Sequence, residues 1–201
     1  MKKSIVATLI LTLALVFCAC GKTTPDNAEQ AHNEVQSASE EDVNSADTSI
    51  EAEPFDLEAY KEKASDFRIN AYAASIILAN MGNYENNYWQ ALGRLDDGMV
   101  NKAFSWIAEN SDESQETIES NYENIRTAYK GLILTDFGND TEASEIDAGV
   151  RALYSGYSEL YSAVTSPSGS REDFASHVSD LISEIQSANK NLLLFLPEEA
   201  Q

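Results

Sequence analysis

Cysteine is almost absent from this chain: among 201 residues there are only Cys18 and Cys20, both within the first twenty. A secreted domain held by disulfides carries an even set of cysteines. No disulfide framework can therefore hold the rest of the sequence together. Histidine is equally scarce, with His32 and His177 alone. Di-iron sites in helical bundles are built from Glu-x-x-His pairs, and the residue three before His177 is Phe174, so that motif fails. Zinc sites need several Cys or His ligands, and C-x-x-C-H is missing, which excludes covalent haem. Basic residues are few, 13 against 34 acidic, for a formal charge of -21. Such a charge repels nucleic acid and anionic lipid headgroups. Long apolar runs are lacking too. The one run, residues 5–17, would span roughly 20 Å as a helix, against about 30 Å for a bilayer core.

That short run has another use. Lys2 and Lys3 precede it, and Phe17-Cys18-Ala19-Cys20-Gly21-Lys22 ends it. A basic start, an apolar middle and a small residue before the cut are the parts of a secretory signal. The ending resembles the lipobox of bacterial lipoproteins, with Ala19 before the cut and Cys20 as the lipidated residue. Phe17 departs from the usual leucine. Placing the anchor on Cys18 would put Phe17 at the cut, where a small residue is needed. The resemblance implies a thioether-linked diacylglycerol on Cys20 and an extracytoplasmic, membrane-anchored protein. Two acyl chains supply the hold that stable attachment needs.

Residues 21–54 carry one basic and nine acidic residues, with Val35, Val43 and Ile50 the only apolar side chains larger than alanine besides the prolines. Such a stretch cannot bury enough surface to offset its ordering entropy. It reads as a disordered acidic tether of roughly 30–35 Å.

From residue 55 onward the apolar period is helical, and a chain of that length buries roughly 68–70% of its unfolded surface. One seam reads Leu57, Tyr60, Ala64, Phe67, Ala71, Ala74, Leu78, Met81. A second reads Ile118, Tyr122, Ile125, Tyr129, Leu132. The third is Ile146, Val150, Leu153, Tyr157, Leu160, Val164, and the fourth Phe174, Val178, Leu181, Ile185, Ala188, Leu192, Phe195. These seams predict an all-α fold: an up-and-down helical bundle of four long helices plus a short one, over residues 55–201. Ser111 before Asp112-Glu113 and Ser170 before Arg171-Glu172-Asp173 read as N-caps. Phe137-Gly138-Asn139-Asp140 and Ser166-Pro167-Ser168-Gly169 read as turns, and Pro197 as a closing break.

Residues 82–110 admit two readings. In one, the first helix continues through Tyr88 and Leu92 to about Leu95, interrupted only by Glu85. A break at Asp96-Asp97-Gly98 and a short helix from 99 to about 109 follow. In the other, a single helix runs from 84 to 109 with Gly98 inside it, at about 1 kcal/mol. Small residues line the third helix in two series: Ala148, Ala152, Gly156 and Gly149, Gly156, Ala163. Both read as ordinary bundle packing, since Glu145, Arg151 and Glu159 exclude a membrane-spanning small-residue motif.

No G-x-S-x-G, P-loop or dinucleotide-binding glycine pattern occurs, so no enzyme, metal or cofactor is expected. Asp173, His177 and Asp180 share a helix face and read as solvated. The segment that suits binding is Asn83-Tyr84-Glu85-Asn86-Asn87-Tyr88-Trp89-Gln90, where aromatic contact area meets adaptable amides. Tyr84, Asn87, Trp89 and Trp106 are its candidate residues, Tyr88 being reserved for the core. The blander alternative is that the aromatic residues simply cover the bundle end. Tyr154, Tyr157 and Tyr161 read as core or core margin.

The layout of address, tether and helical domain resembles small lipoproteins of low-GC Gram-positive bacteria. It implies a non-enzymatic binding module, with an envelope protein as possible partner. Two alternatives stand beside it: an accessory ligand-binding or sensing subunit of a membrane transporter or receptor, and a phage-exclusion lipoprotein, a type with a similar layout. Lipid on Cys20 is directly testable. Cys20→Ala should release the protein into the medium or leave unprocessed precursor, and intact-mass analysis of the N-terminus should find diacylglycerol on wild type only.

Overall fold

Asp56 starts the architecture. Its backbone is extended, and its side chain accepts the Ala59 N–H at 3.1 Å, satisfying one of the orphan donors of a helix start. In the computed structural model, which describes residues 54–111 and 113–196, five helices follow. They are α1 (Leu57–Leu92), α2 (Met99–Ser111), α3 (Gln115–Ile133), α4 (Thr141–Thr165) and α5 (Arg171–Leu192). The expected signal sequence, Cys20 and the expected tether up to residue 53 lie outside the described residues, as does Pro197.

The chain runs up α1, down α2 and α3, up α4 and down α5. Cross-links between helices fix these levels. Phe55 and Tyr60 meet Phe137 of the α3–α4 turn, with ring centroids 6.2 and 6.1 Å apart. Lys61 Nζ pairs with Glu142 of α4 at 2.8 Å. A third of the way up α1, the buried Arg68 Nη1 donates to Asn189 Oδ1 of α5 at 3.2 Å. Near the top, Trp89 packs on Phe174, with centroids at 5.9 Å. The bundle expected from the sequence is thus present. Helices α1, α4 and α5 pack tightly on one another, α3 lies against α1 and α4, and α2 chiefly against the upper half of α1.

The third and fourth seams are buried at every helical position, from Ile146 to Val164 and from Phe174 to Leu192. Other expectations need correction. Ser75 rather than Ala74 continues the α1 seam inside, its hydroxyl donating to the Ala71 carbonyl at 2.7 Å. Ser111 does not start α3. It ends α2, donating to the Ile107 carbonyl at 2.8 Å, while Ser114 caps α3 by accepting the Thr117 N–H at 3.1 Å. Helix α1 stops at Leu92, because Gly93 takes a left-handed cap (φ 67°) and returns its N–H to Trp89. Leu92 and Leu95 are consequently exposed rather than on a seam. Phe195 falls beyond the end of α5 and is half-buried, with Leu196 the buried residue there.

The small residues of α4 divide cleanly. Ala148 and Ala152 face solvent, whereas Gly156 is buried. A Cβ on Gly156 would come within 2.8 Å of Ile185 Cγ1, and one on Gly149 within 2.7 Å of Leu192 Cδ2. Helix α5 seats its large side chains where α4 has none. Gly156→Ala should therefore destabilise by about 1–3 kcal/mol through overpacking, despite the roughly 1 kcal/mol that alanine gains in a helix. Gly131→Ala on α3, exposed with no atom near its Cβ, should stabilise by up to about 1 kcal/mol. Urea unfolding of the two variants should move in opposite directions.

Candidate functional site

The upper α1–α2 face assembles from helical spacing. Tyr84 and Tyr88 lie one turn apart on α1, so both reach the same neighbour. Tyr84 stacks on Trp106 of α2, with centroids 5.3 Å apart and planes 22° from parallel, and lies 6.1 Å from the Tyr88 ring. Lys102 of α2 sits 4.5 Å above the Tyr88 ring and donates to the Tyr88 hydroxyl. The same ammonium pairs with Asp96 at 3.2 Å. That hydrogen bond holds Asp96 below the usual carboxylate range, and the Tyr88 hydroxyl and Asp96 hold Lys102 above its own. Asp96 also accepts the Met99 N–H through its carbonyl, tying the α1–α2 turn to the start of α2.

Of the four residues singled out from the sequence, three belong to this surface. Tyr84 and Trp106 are half-buried in mutual contact, and Asn87 is exposed one turn on from Tyr84. Trp89 does not belong. It is 6% exposed and packs inward on Phe174, because it lies four residues after Glu85 and seven after Gly82, on the seam itself. Tyr88, expected in the core, sits at its margin.

A second aromatic run lies where α3 meets α4. Tyr122 stacks on Tyr161 at 4.0 Å and Tyr129 on Tyr154 at 3.8 Å, while Tyr157 is buried beneath them. Burial pushes the Tyr157 hydroxyl well above its ordinary range. These rings close the seam between α3 and α4.

The surface of the described residues includes two clefts between helices. One of about 520 Å³ lies between the ends of α4 and α5, lined by Glu159, Ser162, Ser166, Asp173, Phe174 and His177. The other, of about 130 Å³, lies between α1 and α5, beside Gly82, Asn86 and Val178. Asp173, His177 and Asp180 are all exposed. Among the described residues no three His, Cys, Asp or Glu side chains converge as a metal ion would require, and no helix is long and apolar enough to cross a membrane.

Glu85 is the residue whose environment the sequence misjudges most. It appears in the sequence as a mere interruption of the α1 seam, yet it is 0% exposed and neither carboxyl oxygen has a hydrogen-bond partner. It falls one heptad after Leu78, so helix geometry drives it inward. Burial alone pushes its pKa from 4.5 up to about 8, because a charge cannot be left unsolvated in an apolar interior.

No known protein family, characterised protein or solved structure matches this chain.

The folded chain holds the Glu85 proton, and the unfolded chain releases it above about pH 4.5. Stability from this group is therefore present at low pH and lost as pH rises toward about 8. At about 1.4 kcal/mol per pKa unit, Glu85 costs roughly 3 kcal/mol at pH 7. Glu85→Leu should recover an amount of that order. In denaturant unfolding, its advantage over wild type should be greater at pH 8 than at pH 5.

Proposed function

We propose that this chain is a lipid-anchored extracytoplasmic binding module, held to the membrane through Cys20. On this reading it performs no chemistry, and the α1–α2 face docks a protein partner. The observation that carries the reading is the stacked Tyr84–Trp106 pair at a helix–helix junction, with exposed Asn83 and Asn87 on one side. Leu92, one turn beyond Tyr88, is exposed on the other. Protein interfaces concentrate their energy in a few such aromatic residues, surrounded by adaptable polar groups. The rings are already stacked, so docking would order few rotamers.

The test is affinity capture from detergent-solubilised membranes of the producing cell. Asn87→Arg, on an exposed position, should weaken capture of the wild-type partner by tenfold or more and leave the melting temperature within about 1 °C. Tyr84→Ala with Trp106→Ala should abolish capture. Tyr122→Ala, on the α3–α4 side, should leave it intact. Capture unaffected by Asn87→Arg and by the double variant would remove the α1–α2 face from consideration. Loss with Tyr122→Ala alone would move the site to the second aromatic run.

A further inference from the structure

Among the described residues Glu85 is fully buried with neither carboxyl oxygen hydrogen-bonded, and it lies on the stretch of α1 whose Tyr84 and Tyr88 meet α2. Advancing about 100° per residue around α1, Gly82 and Trp89 point one way, where Val164, Val178 and Phe174 receive them. Tyr84 and Tyr88 point another way, to Trp106 and Lys102 of α2. Glu85 lies between these two directions, so the wedge that excludes water from it is closed on one side by α2. Helix α2 supplies Met99, Ala103, Phe104 and Ile107 to the buried interior.

Helix α2 is also the shortest of the described helices. It is 13 residues long and buries four residues, against nine for α4 and seven for α5, while the longer α3 buries three. Its principal neighbour is α1. It is joined to α1 by the left-handed cap at Gly93 and a turn closed by the Asp96 carbonyl. A small, peripheral helix between turns is the kind of unit that opens locally, below the cost of global unfolding.

We propose that Glu85 and α2 form a proton-gated latch: while the Glu85 carboxyl keeps its proton α2 lies closed on α1, and loss of that proton to solvent opens α2 so that the carboxylate can be hydrated. Opening separates Trp106 from Tyr84. The latch does not depend on the identity of any partner, although it would dismantle the aromatic face when open. Among charged side chains on the elements around it, Lys102 of α2, Glu159 of α4, and Asp173 and His177 of α5 are exposed, while Asp96 of the α1–α2 turn and Arg171 of α5, which donates to Asn86, are half-buried. None of them shifts Glu85, whose only perturbation is burial. Direction follows from which state holds the proton. The closed state holds it up to about pH 8, and an opened, hydrated glutamate releases it from about pH 4.5. The opening equilibrium therefore rises about tenfold per pH unit across that window and levels off above it.

Hydrogen exchange on the mature chain, corrected for the intrinsic pH dependence of exchange, tests this at pH 5.5, 6.5 and 7.5. Protection of Ala103, Phe104 and Ile107 should fall about tenfold per unit, while Leu153, Tyr157 and Leu181 stay protected. Glu85→Gln should remove the pH dependence of α2, and Glu85→Leu, which needs no hydrogen-bond partner, serves where glutamine folds poorly. PH-independent protection of α2 in wild type would overturn the latch. So would an equal loss in α2, α4 and α5, because the proton would then govern global unfolding. Persistence of the α2 response in both Glu85 variants would assign it to another group and equally end the proposal.

Discussion

The seam of α1 is the constraint on which the other helices depend. From Tyr60 through Ala64, Phe67, Ala71, Ser75, Leu78, Gly82 and Glu85 to Trp89 every step is three or four residues, so one face of a 36-residue helix stays turned inward throughout. Helices α4 and α5 meet this face together. Their own separation is set by the fit of Ile185 and Leu192 over Gly156 and Gly149. Packing at interior density leaves little freedom in such a fit. Moving α5 outward would break the hydrogen bond from Arg68 to Asn189 and separate Trp89 from Phe174. The lower and middle bundle is therefore over-determined, with size, polarity and spacing all agreeing.

Agreement fails at the top of the same seam. Glu85 obeys the spacing and violates the polarity, and no partner compensates it. Consistency across levels is what gives a sequence a single deep minimum. A buried, unpartnered carboxyl is a local exception of several kcal/mol order. That exception lies on α1 between the direction of Gly82 and Trp89, toward α4 and α5, and the direction of Tyr84 and Tyr88, toward the shortest helix.

The sequence carried most of the fold, for a reason that also explains its failures. Periodicity reports which side of a helix faces inward, and α4 and α5 have core neighbours along their whole length, so every helical seam position there is buried. At helix ends the same periodicity runs on with nothing to pack against. Leu92 and Leu95 kept the spacing but lay at or past the Gly93 cap. Ser111 and Ser114 both have acids close behind them, and only backbone geometry separates the residue ending α2 from the one starting α3. The candidate surface was legible in composition, as a mixture of aromatic and amide side chains. Which of those aromatics pointed outward was not, since Trp89 and Tyr88 are adjacent and differ by one step around the helix. Glu85 was visible as a break in the pattern. Its burial was not, because a glutamate is ordinarily assigned to solvent.

Charge ties the two features of the upper bundle together. Residues 55–201 carry ten basic and 25 acidic side chains, but residues 83–111 hold Arg94 and Lys102 against Asp96, Asp97, Glu109 and Glu85. With Glu85 protonated the segment is one negative charge from neutral. Lys102 and Asp96 are moreover paired with each other beside Tyr88. The cores of protein interfaces are depleted of charge, and in a domain this acidic a near-neutral aromatic face can be approached with little repulsion. On the proposed docking reading, ionising Glu85 would act against docking in two ways. It adds a negative charge to the segment, and it favours separation of the helices that supply the two stacked rings. A partner that binds the closed face would in turn favour the protonated carboxyl, since binding and proton retention select the same state and each must raise the affinity of the other by the same factor.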